Sequence, residues 1–199
     1  MRWHDFEWDA WRPHEIARRL APIDVPWYVA GGWAIDLFLG RERREHEDLE
    51  IGVPNERFLT GVAPKLSDLE LYVTDSGHVT PLGEAADRLP VTHQTWGLDR
   101  GAAVWRIDVF REPSRAGEWI CRRDDQIRLP YSELIEHTPD GIPYARPEVV
   151  LLFKARSARP KDESDLAAVL PHLGAQRRRL LAGWIERVHP GHFWLPDLA

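Results

Sequence analysis

The sequence has little of what marks secreted or membrane proteins. Its 199 residues include a single cysteine, Cys121, so an internal disulfide is excluded. No uninterrupted apolar run approaches the roughly 20 residues that cross a bilayer. The N-terminus, Met1-Arg2-Trp3-His4-Asp5, has an early acid and lacks the apolar segment of a signal peptide. We therefore expect a cytoplasmic protein.

The chain also lacks an excess of positive charge. It has 26 Lys and Arg residues against 32 Asp and Glu residues, a net charge of −6. This balance disfavours long-range attraction to nucleic acids or anionic membranes and suits a cationic partner better. The nine histidines show no H-E-x-x-H pattern and no clustered spacing with cysteine, so no zinc site is predicted.

What is present is a pattern of alternating strands and helices followed by helices alone. Apolar spacing, glycines and prolines predict helices over 13–20, 33–39 and 55–66, and strands over 27–30, 48–53, 69–73, 93–98, 103–110 and 119–122. Beyond Pro147 the spacing predicts helices over 148–156, 162–173 and 175–188. We therefore predict an α/β (α+β) fold, with a mixed sheet flanked by helices in residues 1–146 and a helical subdomain in residues 147–199.

Three acidic residues lie on predicted strands. In a strand, residues two apart project to one face, so Asp48 and Glu50 point together. Asp108 lies on the strand 103–110 between apolar residues, and the three carboxylates converge if this strand adjoins 48–53. Crowded carboxylates raise one another's pKa unless a cation neutralises them, and hard oxygen ligands suit Mg²⁺. The alternative is that Asp48 and Glu50 form the solvated face of a half-buried strand.

The glycine pair Gly31-Gly32 separates a predicted strand from a predicted helix. Glycines there let the backbone approach a ligand closely, and the amides at the helix start can hold phosphate oxygens. An ordinary turn would use the same residues, and the pair is neither a Walker A loop nor a dinucleotide fingerprint. Combined with clustered acids, it predicts phosphoryl-type transfer.

These residues form part of a longer motif. The run Gly31-Gly32-Trp33-Ala34-Ile35-Asp36, then Gly40-Arg41, Arg44 and His46, then Asp48-Leu49-Glu50-Ile51, resembles the G-G-W-x-x-D, G-(R/K)-x-x-R-x-H and D-x-D pattern of small antibiotic nucleotidyltransferases, the aminoglycoside 2''- and lincosamide-modifying enzymes. The resemblance is tight over residues 27–53 and recurs at Ile107-Asp108, where the family has its third acid. It differs at Glu50, where the family has Asp.

The resemblance implies a DNA-polymerase-β-like nucleotidyltransferase that moves a nucleoside monophosphate from an NTP, such as ATP, to a hydroxyl group with release of pyrophosphate. It implies that Asp48 and Glu50 bind Mg²⁺, with two ions expected, and that Asp108 completes the metal site or accepts the proton of the acceptor. Gly31 and Gly32 would line the triphosphate turn.

Basic residues of the motif have two interpretations each. Arg44 and His46 would either contact phosphate oxygens or brace the strand that carries the acids. Of the other motif residues, Trp33 is expected to pack and Asp36 to make a satisfied polar contact. In the C-terminal part, Lys154 resembles a helix lysine that meets the triphosphate in this superfamily, and the alternative is a solvated side chain.

A K-D-x-x-D run follows that lysine. It comprises Lys161, Asp162 and Asp165. A purely structural interpretation of this run is that Asp162 is the N-cap of a helix and Asp165 lies in its first turn. The basic run Arg177-Arg178-Arg179 is predicted to be a solvated helix face.

The extra methylene of Glu50 moves the carboxylate by roughly 1.5 Å, although Mg²⁺ demands near-ideal geometry. Either a backbone shift or another rotamer compensates for this displacement, or weak activity, a preference for the more tolerant Mn²⁺, or nucleotide binding without catalysis follows. Three functions therefore stay open. The first is nucleotidyl transfer to a small hydroxylated acceptor, aminoglycoside-like or lincosamide-like. The second is a toxin-like enzyme that modifies tRNA or protein, and the third is a non-catalytic nucleotide sensor.

Overall fold

The computed structural model describes residues 5–199, so the expectation for the N-terminal segment Met1 to His4 lies outside the described residues. The strands are β1 (Glu7–Trp8), β2 (Tyr28–Val29), β3 (Glu50–Pro54), β4 (Glu70–Asp75), β5 (His78–Pro81), β6 (Gln94–Asp99), β7 (Val104–Glu112), β8 (Ser114–Arg115), β9 (Glu118–Ile120), β10 (Arg128–Pro130), β11 (Ile135–His137) and β12 (Pro143–Ala145). The α-helices are α1 (Pro13–Leu20), α2 (Gly31–Leu39), α3 (Asn55–Arg57), α4 (Tyr131–Leu134), α5 (Pro147–Lys154), α6 (Pro160–Val169) and α7 (Ala175–Val188).

Within residues 5–199, nine of these strands form a mixed sheet in the order β11-β12-β2-β3-β7-β6-β4-β5, with β1 paired to the first residues of β7. Strands β3 and β7 are parallel neighbours, and their register pairs Glu50 with Asp108. The remaining strands form a small sheet in the order β10-β9-β8. The predicted mixed sheet with flanking helices is confirmed, and its register sets two acidic residues side by side.

The C-terminal helices pack on the sheet through one continuous apolar core. Ile51 and Val109, from β3 and β7, are fully buried in the same cluster as Leu151 of α5 and Leu181 of α7. Trp194, near the C-terminus, is 1% exposed and joins this cluster. The segment from Pro147 onward is helical as predicted, and it shares its core with the sheet.

Several boundaries differ from the predictions, and one bears on the site. Asp48 lies in the loop before β3 and is exposed, whereas the prediction put it on the strand. The parallel pairing with β7 reaches back only to the Leu49 carbonyl, which accepts a hydrogen bond from Asp108 N at 2.9 Å. The predicted helix 55–66 changes from α to π to 3₁₀ because Gly61 and Pro64 disfavour an α-helix.

In the C-terminal part the helix 175–188 is confirmed, but two local predictions are wrong. Arg159, not Asp162, is the N-cap of α6, and Asp162 occupies the third helical position and accepts a hydrogen bond from Arg159 N at 3.1 Å. In the run Arg177-Arg178-Arg179, Arg179 is exposed as predicted, but Arg177 is partly buried and its guanidinium donates to the fully buried Glu148 at 2.5 and 2.6 Å.

The small strands β1, β5, β8 and β10–β12 were not predicted. Each has two to four residues, too few for an alternating pattern to be read. No helix between residues 5 and 199 combines the length and apolar character that a bilayer crossing requires.

Candidate active site

Two acidic residues meet at the centre of the sheet. Glu50 begins β3 and is partly exposed, and its register partner on β7, Asp108, is 4% exposed. Asp108 Oδ2 accepts a hydrogen bond from Gln94 Nε2, on β6, at 2.7 Å. Strand pairing therefore determines the position of Asp108 from one side and the Gln94 amide holds its carboxylate from the other.

The acids of this site raise one another's pKa. Burial, followed by repulsion from Asp48, raises the pKa of Glu50 to about 7. Burial, followed by repulsion from Glu50, raises the pKa of Asp108 well above its ordinary value, and hydrogen bonds from Gln94 and Trp96 oppose the shift. Although Asp48 lies outside the strand, its charge acts on both neighbours. Burial and repulsion between neighbouring carboxylates thus both favour the neutral forms of Glu50 and Asp108.

The glycine pair provides space for side chains of this same site. Gly31 begins α2 with φ +58°, and a Cβ there would overlap Glu50 Oε2. A Cβ on Gly32 would overlap Arg44 Nη2 and lie 2.8 Å from the His46 ring. Glycine is needed at both positions because the acid of β3 and the basic residues of the preceding loop lie against the start of α2.

A buried contact between a histidine and a carboxylate anchors the loop between α2 and β3. His46 Nε2 lies 2.7 Å from Asp36 Oδ2, which also accepts a hydrogen bond from Arg43 N at 3.0 Å. The Trp33 ring stacks on His46 with centroids 4.3 Å apart. Burial alone would raise the pKa of Asp36, but the contacts with His46 and Arg43 lower it overall. The satisfied contact predicted for Asp36 is present, and His46 is buried within the brace.

Lys154 is held by the acids that follow it. Its Nζ lies 2.6 Å from Asp162 Oδ1 and 3.1 Å from Asp165 Oδ2, with its side chain 10% exposed. Arg159 also donates to Asp162 at 2.8 Å. These contacts overcome the effect of burial and lower the pKa of Asp162. Lys154 is therefore not a solvated helix residue, and the K-D-x-x-D run supplies its counter-charges.

Two cavities meet at Glu50. The first, which we name the polar cavity, has a volume of about 250 Å³ and is lined by Gly32, Arg44, Glu45, His46, Glu47, Asp48, Glu50, Lys154, Arg159 and Lys161. The second, the aromatic cavity, has a volume of about 430 Å³. Its ring-bearing lining residues are Tyr28, Phe110, Trp119 and Phe153. Glu50, Lys154 and Arg159 line both cavities, whereas Asp108 is behind Glu50 and lines neither.

The four ring-bearing residues of the aromatic cavity were not predicted as site residues. They come from β2, β7, β9 and α5, which are far apart in the sequence, and none belongs to a local motif. Gln94 was also missed, and its only signal is its place on the strand that pairs with β7.

The acidic residues are chemically suited to a divalent cation. All three side chains offer hard oxygen donors, and the raised pKa values of Glu50 and Asp108 are of the kind that a cation relieves. Among residues 5–199, no three His, Cys, Asp or Glu side chains form a ready-made metal group. Mg²⁺ in phosphoryl-transfer sites is usually held by one or two carboxylates together with substrate phosphates. The donor set fits such a shared site.

Comparison with known proteins is consistent with this geometry. A family model described as aminoglycoside-2''-adenylyltransferase matches residues 14–68, which include the glycine pair, Asp48 and Glu50. A 2''-aminoglycoside nucleotidyltransferase of Klebsiella pneumoniae is 41% identical over 93 residues, and one of Escherichia coli is 32% identical over the same length. Each match covers 46% of this chain, and the chain spans about half (51%) of the length of these relatives.

Solved structures extend the similarity to most of the chain. ANT(2'')-Ia in complex with adenylyl-2''-tobramycin has a TM-score of 0.59 at 15% identity, covering 87% of this chain and 95% of that one. The fold is that of the antibiotic nucleotidyltransferases. The lincomycin-bound lincosamide antibiotic adenylyltransferase LnuA aligns with a TM-score of 0.55 at 17% identity, covering 78% and 92% of the two chains. The resemblance of the sequence motif to the small antibiotic nucleotidyltransferases is thus confirmed, with its fold.

Proposed function

We propose that this protein transfers a nucleoside monophosphate from an NTP to a hydroxyl group of a small acceptor and releases pyrophosphate. The observation that carries the proposal is the contact between the Glu50 carboxylate and the start of α2, with Asp108 in register beside it. The chain thereby has acids suited to cation-bound phosphates next to a helix N-terminus and a cavity that four cationic side chains line.

The polar cavity suits the triphosphate. Arg44, Lys154, Arg159 and Lys161 line it, and Glu50 and Asp48 lie at its acidic side. Guanidinium and ammonium groups bind phosphate oxygens strongly because both partners are charged. The Asp36–His46 brace holds the loop that presents Arg44, so the role proposed for His46 is positioning rather than direct contact with phosphate.

In the proposed reaction the acceptor oxygen attacks the α-phosphorus. The new O–P bond forms as the bond from that phosphorus to the α,β-bridging oxygen breaks, and pyrophosphate leaves with the electron pair. Asp108 is the proposed base for the hydroxyl proton, because a raised pKa makes a carboxylate a stronger proton acceptor. When bound, a divalent cation such as Mg²⁺ supplies charge neutralisation at the phosphates. Asp48, Glu50 and Asp108 are the side chains proposed to hold it.

Thermal denaturation with nucleotide tests this proposal. ATP with Mg²⁺ or Mn²⁺ is expected to raise the unfolding temperature, because a ligand that binds only the folded state stabilises it. Asp48→Ala should remove the metal-dependent part of the rise. The absence of a shift with ATP or GTP in either metal would contradict nucleotide binding altogether.

A non-catalytic nucleotide sensor is the second candidate, favoured by Glu50 at a position where related enzymes have Asp. Pyrophosphate release on screening aminoglycosides, lincosamides and bulk tRNA separates the candidates and also tests a toxin-like activity on tRNA. Nucleotide binding without turnover, with turnover appearing in Glu50→Asp, would favour the sensor.

A further inference from the structure

Three arginines cluster at the end of the aromatic cavity that is remote from the acids. Arg122 and Arg123 follow β9, and Arg156 lies in the turn after α5. We name these three residues the arginine cluster. The guanidinium carbons of Arg122 and Arg123 each lie 4.5 Å from the centroid of the Phe153 ring. Stacking on one ring holds two like charges near each other.

The arginine cluster has fewer carboxylate partners than guanidinium groups. Arg122 donates a hydrogen bond to Glu112, which is 3% exposed. Among residues 5–199, neither Arg123 nor Arg156 forms an ion pair with a carboxylate, and Arg123 donates instead to the Leu152 carbonyl at 3.1 Å. Burial, with repulsion from Arg122 and Arg156, lowers the pKa of Arg123 to about 10. One carboxylate therefore faces three guanidinium groups.

The rest of the cavity does not restore neutrality. Its other two carboxylates are those of Glu50 and Asp162, and Asp162 is already paired with Lys154 and Arg159. Five cationic side chains thus line the aromatic cavity against three carboxylates. The whole chain has a net charge of −6, so the local sign is opposite to the overall one. A cavity of this kind repels a polycation and attracts an anion.

The position of the cluster separates it from the proposed triphosphate site. Glu112 lies four residues beyond Asp108 on β7, which is roughly 13 Å at the rise of a β-strand. The cations of the polar cavity, Arg44 and Lys161 among them, lie at the other side of Glu50. A triphosphate with its α-phosphate at the acids would therefore meet the polar cavity, and a second ligand would meet the cluster.

We propose that the arginine cluster binds an anionic group, a phosphate or a carboxylate, of an acceptor whose apolar or aromatic part fills the aromatic cavity. The rings of Tyr28, Phe110 and Trp119 in the lining suit a flat apolar body, and the hydroxyl would lie at the end of the cavity where Glu50 is paired with the proposed base Asp108. Assignment of this ligand as the acceptor rests on the proposed function, whereas anion binding does not. The proposed substrate class differs from the polycationic aminoglycosides.

Calorimetric titration of the full chain tests the site with three probes: phenyl phosphate, benzoate and benzyl alcohol. Each is titrated with and without saturating ATP and Mg²⁺. We expect both anions to bind at least about tenfold more tightly than the neutral alcohol, as one charge-assisted contact allows. ATP should not displace them, and tobramycin, a polycation, should not compete.

The variants are Arg156→Gln, at an exposed position that keeps the fold, and the double variant Arg123→Gln/Arg156→Gln. Each should weaken the anionic probes, the double variant by at least about tenfold, without changing benzyl alcohol binding or ATP affinity. Arg179→Gln is the matched control, because it makes the same charge change on the exposed face of α7.

Distinct outcomes would overturn the proposal. Equal affinity for the anions and the alcohol, or equal weakening by Arg179→Gln, would exclude an anion site in the cluster. A parallel loss of ATP affinity in the double variant, or displacement of the anions by ATP, would assign the cluster to nucleotide phosphates. Failure of ATP to bind while the anions bind through the cluster would contradict the proposed function and leave the anion site intact.

Discussion

The two cavities on either side of Glu50 differ in how the chain builds them. The polar cavity comes largely from one stretch, residues 44–50, closed by Lys154 at the end of α5 and by Arg159 and Lys161 at the start of α6. The aromatic cavity is assembled from strands and helices that are distant in sequence. The first is a local motif anchored by the buried Asp36–His46 contact, whereas the second depends on how the C-terminal helices cover the sheet. Under the proposed function, nucleotide binding would therefore depend on a local motif and acceptor specificity on the tertiary fold.

The largest effect is expected at Asp108, the register partner of the Glu50 that both cavities share. Asp108→Asn should lower nucleotidyl transfer about 10²- to 10⁴-fold, because the proposed base is lost while the shape is kept. ATP affinity without a divalent cation should change little, since Asp108 lines neither cavity, whereas the metal-dependent part should fall because Asp108 is one of the side chains proposed to hold the cation. Pyrophosphate release and ATP titration measure the two quantities. A variant with full turnover would remove Asp108 from the reaction.

Gly31→Ala tests the contact between the glycine pair and Glu50. A methyl group there would displace the Glu50 carboxylate, so we expect metal-dependent ATP affinity to fall about tenfold, the loss of one charge-assisted contact. The positive φ should also cost about 1 kcal/mol of stability.

Gly40→Ala is the matched control for this variant. Gly40 has φ +68°, and no atom lies within 4 Å of a Cβ built there. It should therefore show the same loss in denaturant unfolding with unchanged ATP binding. If both variants weaken ATP equally, backbone strain rather than the position of Glu50 is responsible.

Arg44→Gln tests whether the polar cavity and the aromatic cavity bind their ligands separately. ATP affinity should fall roughly fivefold to tenfold, because one cationic contact to phosphate is removed from the polar cavity. Phenyl phosphate binding in the aromatic cavity should be unchanged. Arg41→Gln, on the exposed part of the same loop, is the control. Titration of both ligands into both variants checks this, and a change in phenyl phosphate affinity would show that the cavities are not separate.

The smallest effect is expected from Asp36→Asn, which acts on the polar cavity only through its loop. The contacts of Asp36 lower its pKa, so the folded state favours the charged form and this stabilisation is present above its ordinary value of 3.8. It is lost as the pH falls through the lower folded pKa. Asp36→Asn should cost about 1 kcal/mol at pH 7 and progressively less below pH 3.8. Urea unfolding across this range measures it, and a pH-independent difference would show that packing dominates.

The comparison also explains what could be predicted from the sequence. The fold class, the α2 helix, the neighbourhood of Glu50 and Asp108, and the contact of Asp36 were predicted because each depends on short-range spacing or on a motif. The start of β3 was not, because pairing with β7 decides where the strand begins and leaves Asp48 in the loop. Arg177 was misjudged because its partner, Glu148, lies in another helix. Strands of two to four residues have no readable period.

The aromatic cavity shows the limit most clearly. Trp119, Phe110 and Phe153 are unremarkable in their own segments, and only the packing of α5 over β7 and β9 gathers them. The same packing brings the arginines of two segments to one ring. No spacing rule connects residues from such distant segments. The excess of positive charge in the aromatic cavity therefore cannot be predicted before the fold is known.

The position of Lys154 between the polar cavity and the aromatic cavity has a thermodynamic consequence. Lys154 lines both cavities, and its ammonium group, already paired with Asp162 and Asp165, would also attract an anion bound in either one. An anion bound in one cavity would reduce the positive potential of Lys154 that attracts an anion to the other cavity. Thermodynamic linkage then requires that each bound anion change the affinity of the protein for the other by the same factor.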